Sequence, residues 1–202
     1  MKKRIGGEAP TASANDTIGI SEPYSVEVEL TGSANMMFHR WMCEYVAEKA
    51  KAAKGSKAKK SDDIETFVYR DEQNNICLPG EYLRQSIIGA SKFRQDPRSP
   101  RKSAMDLFKA AIIVETELAS LGIKKWDYED HRRVVIQRNA ITRIRPAISK
   151  GWKAVFKILV LLPEYISADD LHDVISNAGR LIGVGDFRPT YGRFFISKFE
   201  KL

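Results

Sequence analysis

Apolar residues at Tyr24, Val26, Val28 and Leu30 alternate with Ser25, Glu27, Glu29 and Thr31. Successive side chains of a strand point to opposite faces, so this period of two predicts a strand with one buried face. After a turn at Thr31-Gly32 the spacing changes. Phe38, Trp41, Met42, Tyr45 and Val46 fall on one helical face, which predicts a helix from about Asn35 with Asn35 as its cap. Thr66–Arg70 and Ile76–Leu78 flank the polar run Asp71–Asn75 and read as a hairpin. Pro79-Gly80 opens a second helix carrying Leu83, Ile87 and Ala90 on one side. Ser103 and Asp106 form a capping-box-like start for a short helix. Ala110–Glu117 reads as a strand, and Arg132–Arg145 as an extended segment stopped by Pro146. Trp152–Leu162 is apolar on both faces, the pattern of a central strand. Ser167–Asp170 caps a helix that turns Leu171, Val174, Ile175 and Ala178 inward, and Phe194–Phe199 closes the chain as a strand.

The alternation of short capped helices with strands predicts an α+β fold of the βαββαβ, ferredoxin-like (RRM-like) plan. An antiparallel sheet would carry its helices on one face. Residues 1–22, rich in Gly, Ala, Ser, Thr and Pro, read as a flexible arm. Residues 23–202 then form a single domain with basic insertions near 49–62 and 92–102.

Charge changes the picture most. The 202 residues carry a formal charge of +7, with a pI near 9.4. From His131 to Pro163 there are eight Lys or Arg and no Asp or Glu. Solubilising charge would mix the signs, so this clumping favours a polyanionic partner. Cys43 and Cys77 are too few for a disulfide scaffold or a zinc site and read as reduced core residues of a cytoplasmic protein. No apolar run has the length of a membrane span, and Met1-Lys2-Lys3-Arg4 lacks the apolar stretch of a signal peptide, so no membrane partner is expected.

Between the last helix and the last strand lies a loop punctuated by Gly183, Gly185 and Gly192, with Arg188 and Arg193 attached. Such a loop can cradle phosphates with backbone N–H groups, or it can simply pack helix against strand. Ile182-Gly183-Val184-Gly185 followed by Gly192-Arg193-Phe194 resembles the glycine-rich loop of the RAMP superfamily. These are the RRM-like proteins of CRISPR effector complexes, including Cas7 backbone subunits, Cas5 and the Cas6 RNases. Leu78-Pro79-Gly80-Glu81-Tyr82-Leu83-Arg84 also looks like the helix start after the first hairpin in such proteins. The resemblance implies a Cas7-like, non-catalytic protein that binds single-stranded RNA, most simply a guide. It further implies a homo-oligomer along the nucleic acid and contacts with other effector-complex subunits. Single-stranded DNA is the other ligand that a backbone-tracking surface would accept.

The candidate contacts are Arg132, Arg133, Arg138, Arg143, Arg145 and Lys150 from the acid-free stretch, with Gly183, Gly185, Arg188 and Arg193 from the loop. On an extended segment Arg143 and Arg145 share a face, where they could follow successive phosphates. Lys92, Arg94, Arg98 and Arg101 form a second group in a Pro-broken loop, and the six lysines of Lys49–Lys60 a weaker one. The plain alternative for each is a solvated, solubilising face. His39 beside Arg40 is the one catalytic candidate, because Cas6 RNases often place a general acid–base histidine in that region. A phage or mobile-element structural protein, with its basic face against an acidic partner, is a third reading. Asp62-Asp63 and Asp169-Asp170 are adjacent pairs whose side chains diverge, so no metal site is expected. No nucleotide-binding Gly-x-x-x-x-Gly-Lys-Ser/Thr is present, and no cofactor is expected.

Overall fold

The computed structural model describes residues 21–44, 47, 51, 63–136 and 139–202. Residues 1–20 of the expected arm, most of the lysine insertion and Arg138 therefore lie outside the described residues.

Four strands form the central sheet: β1 (Tyr24–Gly32), β7 (Ile112–Val114), β11 (Lys153–Val160) and β12 (Phe194–Lys201). Their order is β12-β1-β11-β7, antiparallel throughout. Helix α1 (Gly80–Ser91) lies between β1 and β7 in the chain, and α3 (Ala168–Asn177) between β11 and β12. Taken in sequence, β1, α1, β7, β11, α3 and β12 reproduce the βαββαβ order, so the fold is ferredoxin-like with insertions. Further elements among the described residues include β2 (Met36–Met37), β3 (Tyr69–Arg70), β4 (Ile76–Pro79), β5 (Gln95–Asp96), β6 (Ser99–Ser103), α2 (Met105–Ala111), β8 (Leu118–Ser120), β9 (Tyr128–Ile136) and β10 (Asn139–Ile148). The strands among them form three small sheets, of which β2-β10-β9 matters most below.

The alternation in β1 appears as predicted: Tyr24, Val26, Val28 and Leu30 are buried. They join Phe156, Ile158, Leu83, Ile87, Leu171 and Val174 in one core, so both long helices cover the same sheet face. The helix α3 starts with a reciprocal capping box. Ser167 Oγ accepts from the Asp170 N–H, and the Asp170 carboxylate accepts from the Ser167 N–H.

Several expectations fail for identifiable reasons. Residues 36–37 are a strand, because Met36 and Met37 pair with Ile148 and Ala147. The Phe38 and Arg40 N–H groups then go to Pro146 and Phe67 carbonyls, which leaves no helical ladder through residue 42; among the described residues helical backbone begins only at Cys43. Tyr45 and Val46 of that expected helix lie outside the described residues. Asn35 caps nothing; its side chain donates to Tyr128 Oη and accepts from the Lys150 N–H, each at 2.9 Å. Pro146 does not end its strand: pairing with β9 continues past it to Ala147, and its carbonyl still accepts from Phe38. The Ser103 cap is absent, since α2 begins after Ala104 with no side-chain cap, and α2 takes the first residues of the strand expected over 110–117. Cys43 is exposed rather than in the core.

Strand β11 is central but one-sided. Ala154, Phe156, Ile158 and Val160 face the core, whereas Lys153, Val155 and Lys157 are exposed. The open sheet face is a lattice of paired charge. Lys153 meets Glu29 at 3.1 Å, Lys157 meets Glu115 at 3.0 Å, and Lys198 lies 3.0 Å from Glu200 and 3.9 Å from Glu27. A uniformly basic sheet face is not what the fold presents.

Replacing Ser167 by Ala removes the acceptor for the Asp170 N–H and should cost about 1 kcal/mol of unfolding free energy. A urea unfolding curve with unchanged slope and a lower midpoint would measure it.

Candidate nucleic-acid interface

The glycine loop is built against the segment that follows β1. Gly183, Gly185 and Gly192 have φ of 77°, 80° and 72°, the left-handed region that side chains with a Cβ rarely adopt. They also face backbone at close range. A Cβ would lie 2.9 Å from the Tyr191 carbonyl oxygen at Gly183 and 2.6 Å from that of Met37 at Gly185, and at Gly192 it would overlap that of Val184. Hydrogen bonds lock the path. Val184 N–H donates to the Gly192 carbonyl, Gly192 N–H to Asn35 and Asp186 N–H to Met37. Gly183 N–H donates to Ala178, and Phe187 N–H to the Asp186 carboxylate. These N–H groups point into the protein. What the loop turns outward is side chains: Arg188 is exposed, and Arg193 is exposed with its Nε donating to the Pro189 carbonyl at 2.8 Å.

The hairpin of β9 and β10 leans on this loop. Register places Arg132 opposite Arg143 and Asp130 opposite Arg145, so these four share a face. Arg132 donates to Asp130 and to the Tyr191 hydroxyl, with its guanidinium 4.6 Å from the Tyr191 ring and 5.0 Å from that of Phe187. Arg145 is only 6% exposed; its Nε donates to Asp186 at 2.9 Å, and its guanidinium lies 4.9 Å from the Phe67 ring. His39 Nδ1 stands 3.9 Å from the same Asp186 carboxylate, and the ring meets Phe67 edge-on. Beyond it, Arg40 lies 5.0 Å over Tyr69, which meets Tyr82 edge-on. Burial, and then a hydrogen bond with Tyr69, push the Tyr82 hydroxyl well above its ordinary pKa; the Arg188 charge opposes this slightly.

The fold thus gathers Arg132, Arg145, Gly183, Gly185 and Arg188 around the 183–193 loop. Arg143 shares the hairpin face and is half-buried, while Arg133 projects on the opposite face, exposed. Lys150 is exposed in the turn before β11. The pair expected to track phosphates divides: Arg145 is a buried tie to Asp186, so it and Arg143 are not equivalent.

The second basic group is separate and partly self-neutralised. Residues 95–103 are a small hairpin rather than an open loop. Arg98 grips Asp96 with bonds of 3.0 and 2.8 Å, which holds the Asp96 carboxyl down to about 2. Arg94 pairs with Asp170, and Lys92 lies over Phe93, while Arg101 is exposed. The aromatic members Phe67, Tyr69, Tyr82, Phe187 and Tyr191, and the carboxylate of Asp186, went unassigned in the sequence. Only Asp186, Phe187 and Tyr191 carried a local signal, lying between the glycines. Among the described residues no group of three His, Cys, Asp or Glu side chains could hold a metal, and no helix is long and apolar enough to cross a membrane.

No family model and no curated protein matches the sequence. The fold does have a counterpart. It is similar to a chain in the cryo-EM structure of the Type III-B Cmr-beta bound to cognate target RNA, with a TM-score of 0.54 and 11% sequence identity. The match covers 90% of this chain and 61% of that one, so this chain spans about three fifths of its neighbour's length. At such identity the likeness is one of fold.

Gly192→Ala should lower the melting temperature markedly and cost about 2 kcal/mol or more, because strain at positive φ adds to the backbone overlap. Arg188→Ala should leave melting unchanged within about 0.5 kcal/mol. An NMR titration should find Asp96 with a midpoint near 2, moving up to the ordinary aspartate range in Arg98→Ala. The folded pKa is depressed, so the contribution of this pair is present above the unfolded value near 4 and lost as pH falls through about 2.

Proposed function

We propose that this protein is a RAMP protein of Cas7-like type, which holds single-stranded RNA within a ribonucleoprotein assembly. The observation that carries the reading is the guanidinium–aromatic array around the glycine loop, set on a fold like that of a chain in an RNA-bound Cmr-beta complex. Exposed Arg188 supplies charge for phosphates at the loop, and the rings and guanidinium planes supply surfaces on which bases can stack. Arg132 and Arg145 act one layer below, fixing the loop against the hairpin. Such binding is largely independent of sequence, as a subunit holding varied guides requires. Repetition of the protein along the strand, alongside other effector subunits in the cytoplasm, belongs to the same reading.

The His39–Asp186 pair favours a second reading, a metal-independent endoribonuclease, because a carboxylate can orient an imidazole for proton transfer from a 2′-hydroxyl. One experiment separates the two. Labelled single-stranded RNA is incubated with the protein in EDTA, and binding is followed by anisotropy as salt rises. RNA should stay intact, and log affinity should fall linearly with log salt. The Arg188→Ala variant should lose about 0.7 of that slope if it removes one phosphate contact. A flat salt response would sink the RNA-holding role. Cleavage products that vanish in His39→Ala would replace it with the nuclease.

A further inference from the structure

On the far side of Arg193 lies a groove of about 790 Å³, between the outer face of α3, the residues after α1 and the start of β12. Three guanidinium groups line it, those of Arg94, Arg180 and Arg193, with Asp173 the one carboxylate. Each arginine is aimed by a single acceptor: Arg94 by Asp170, Arg180 by Asn177 and Arg193 by the Pro189 carbonyl. A guanidinium has five N–H donors, so most remain available for a ligand. Phe93 and Phe195 also line the groove, 60% and 52% exposed. Large rings left open to water beside unsaturated guanidinium groups offer stacking surface and phosphate donors together.

We infer that this groove takes a second segment of the same single strand, with phosphates on Arg180 and Arg193 and bases against Phe93 and Phe195. Two observations select nucleic acid as the occupant. Arg94 is balanced by Asp170, and Arg180 and Arg193 against Asp173 leave the lining cationic by two groups to one; Arg193 also belongs to the glycine loop, so the groove continues the surface proposed above. The volume lies within the range of sites that enclose a small ligand, enough for a nucleotide unit. The inference rests on the RNA-holding reading and adds a second subsite to it.

The test uses fluorescent oligouridines from about 4 to about 16 nucleotides, the span over which single-strand sites are sized. The probe protein is Phe93→Ala/Arg180→Ala; both side chains are exposed, so melting should be unchanged. Wild-type affinity should rise with length once the strand reaches the groove. The variant should match wild type on the shortest oligomer that binds and be about tenfold weaker on the longest. A 4-thiouridine placed along the longest oligomer should crosslink to Phe93 or Phe195. Equal binding by variant and wild type at every length overturns the groove assignment alone and leaves the groove to a protein partner. Equal loss at every length also overturns it, because the groove would then be part of the first subsite. Failure of wild type to bind any oligouridine removes the RNA-holding reading and this inference with it.

Discussion

The architecture turns on one short stretch of backbone pairing, that between the glycine loop and the segment just after β1. Asn35 and Met37 offer carbonyls to Gly192 and Asp186; the loop can approach only because Gly185 has no side chain against Met37, and it can fold on itself only because Gly192 has none against Val184. From this contact the rest follows in order. Asp186 is placed over the core, where Arg145 reaches it from β10. Tyr191 is placed over Arg132 of β9. The hairpin is thereby held to the ferredoxin-like body by two arginines, each with a carboxylate and with aromatic faces. Without the glycines the loop would stand off, and both arginines would lose partners that their partial burial requires.

Charge is distributed with the same logic. The formal excess of +7 is not spread over the open sheet, where Lys153, Lys157 and Lys198 are matched by nearby glutamates. The acid-free run Lys49–Lys60 carries six lysines, nearly all outside the described residues; among the described residues the excess gathers at the hairpin, the loop and the end of α1. On the RNA-holding proposal, neutralising the sheet face while leaving guanidinium groups at the loop would confine the polyanion to the loop side of the molecule.

Patterns that depend on near neighbours were legible in the sequence. Strand β1, the capping box of α3 and the glycine loop each announce themselves within a dozen residues, because burial of one face, a helix end and a left-handed turn impose local rules. The overall plan was legible for the same reason. Features decided by distant partners were not. Phe38 and Trp41 have helical spacing, yet pairing of Met36 and Met37 with β10, over a hundred residues later, overrides it. Helix α1 at Gly80–Ser91, not the segment after Asn35, is the first helix of the βαββαβ core. Arg145 reads as a solvated charge until Asp186 is brought beneath it, and nothing local marks Phe67 as its neighbour.

The closed hydrogen bonding of the 183–193 loop has a kinetic consequence. The segment has no regular secondary structure, yet the amides of Gly183, Val184, Asp186 and Gly192 are all bonded to protein carbonyls. Amide hydrogens opened only by breaking such bonds exchange slowly with solvent, on the scale of sheet amides rather than of surface loops. The bonded part of the loop is therefore a framework and not a swinging lid. On the RNA-holding proposal, a strand laid across it would adapt to the loop, and the ordering entropy of association would fall on the flexible partner.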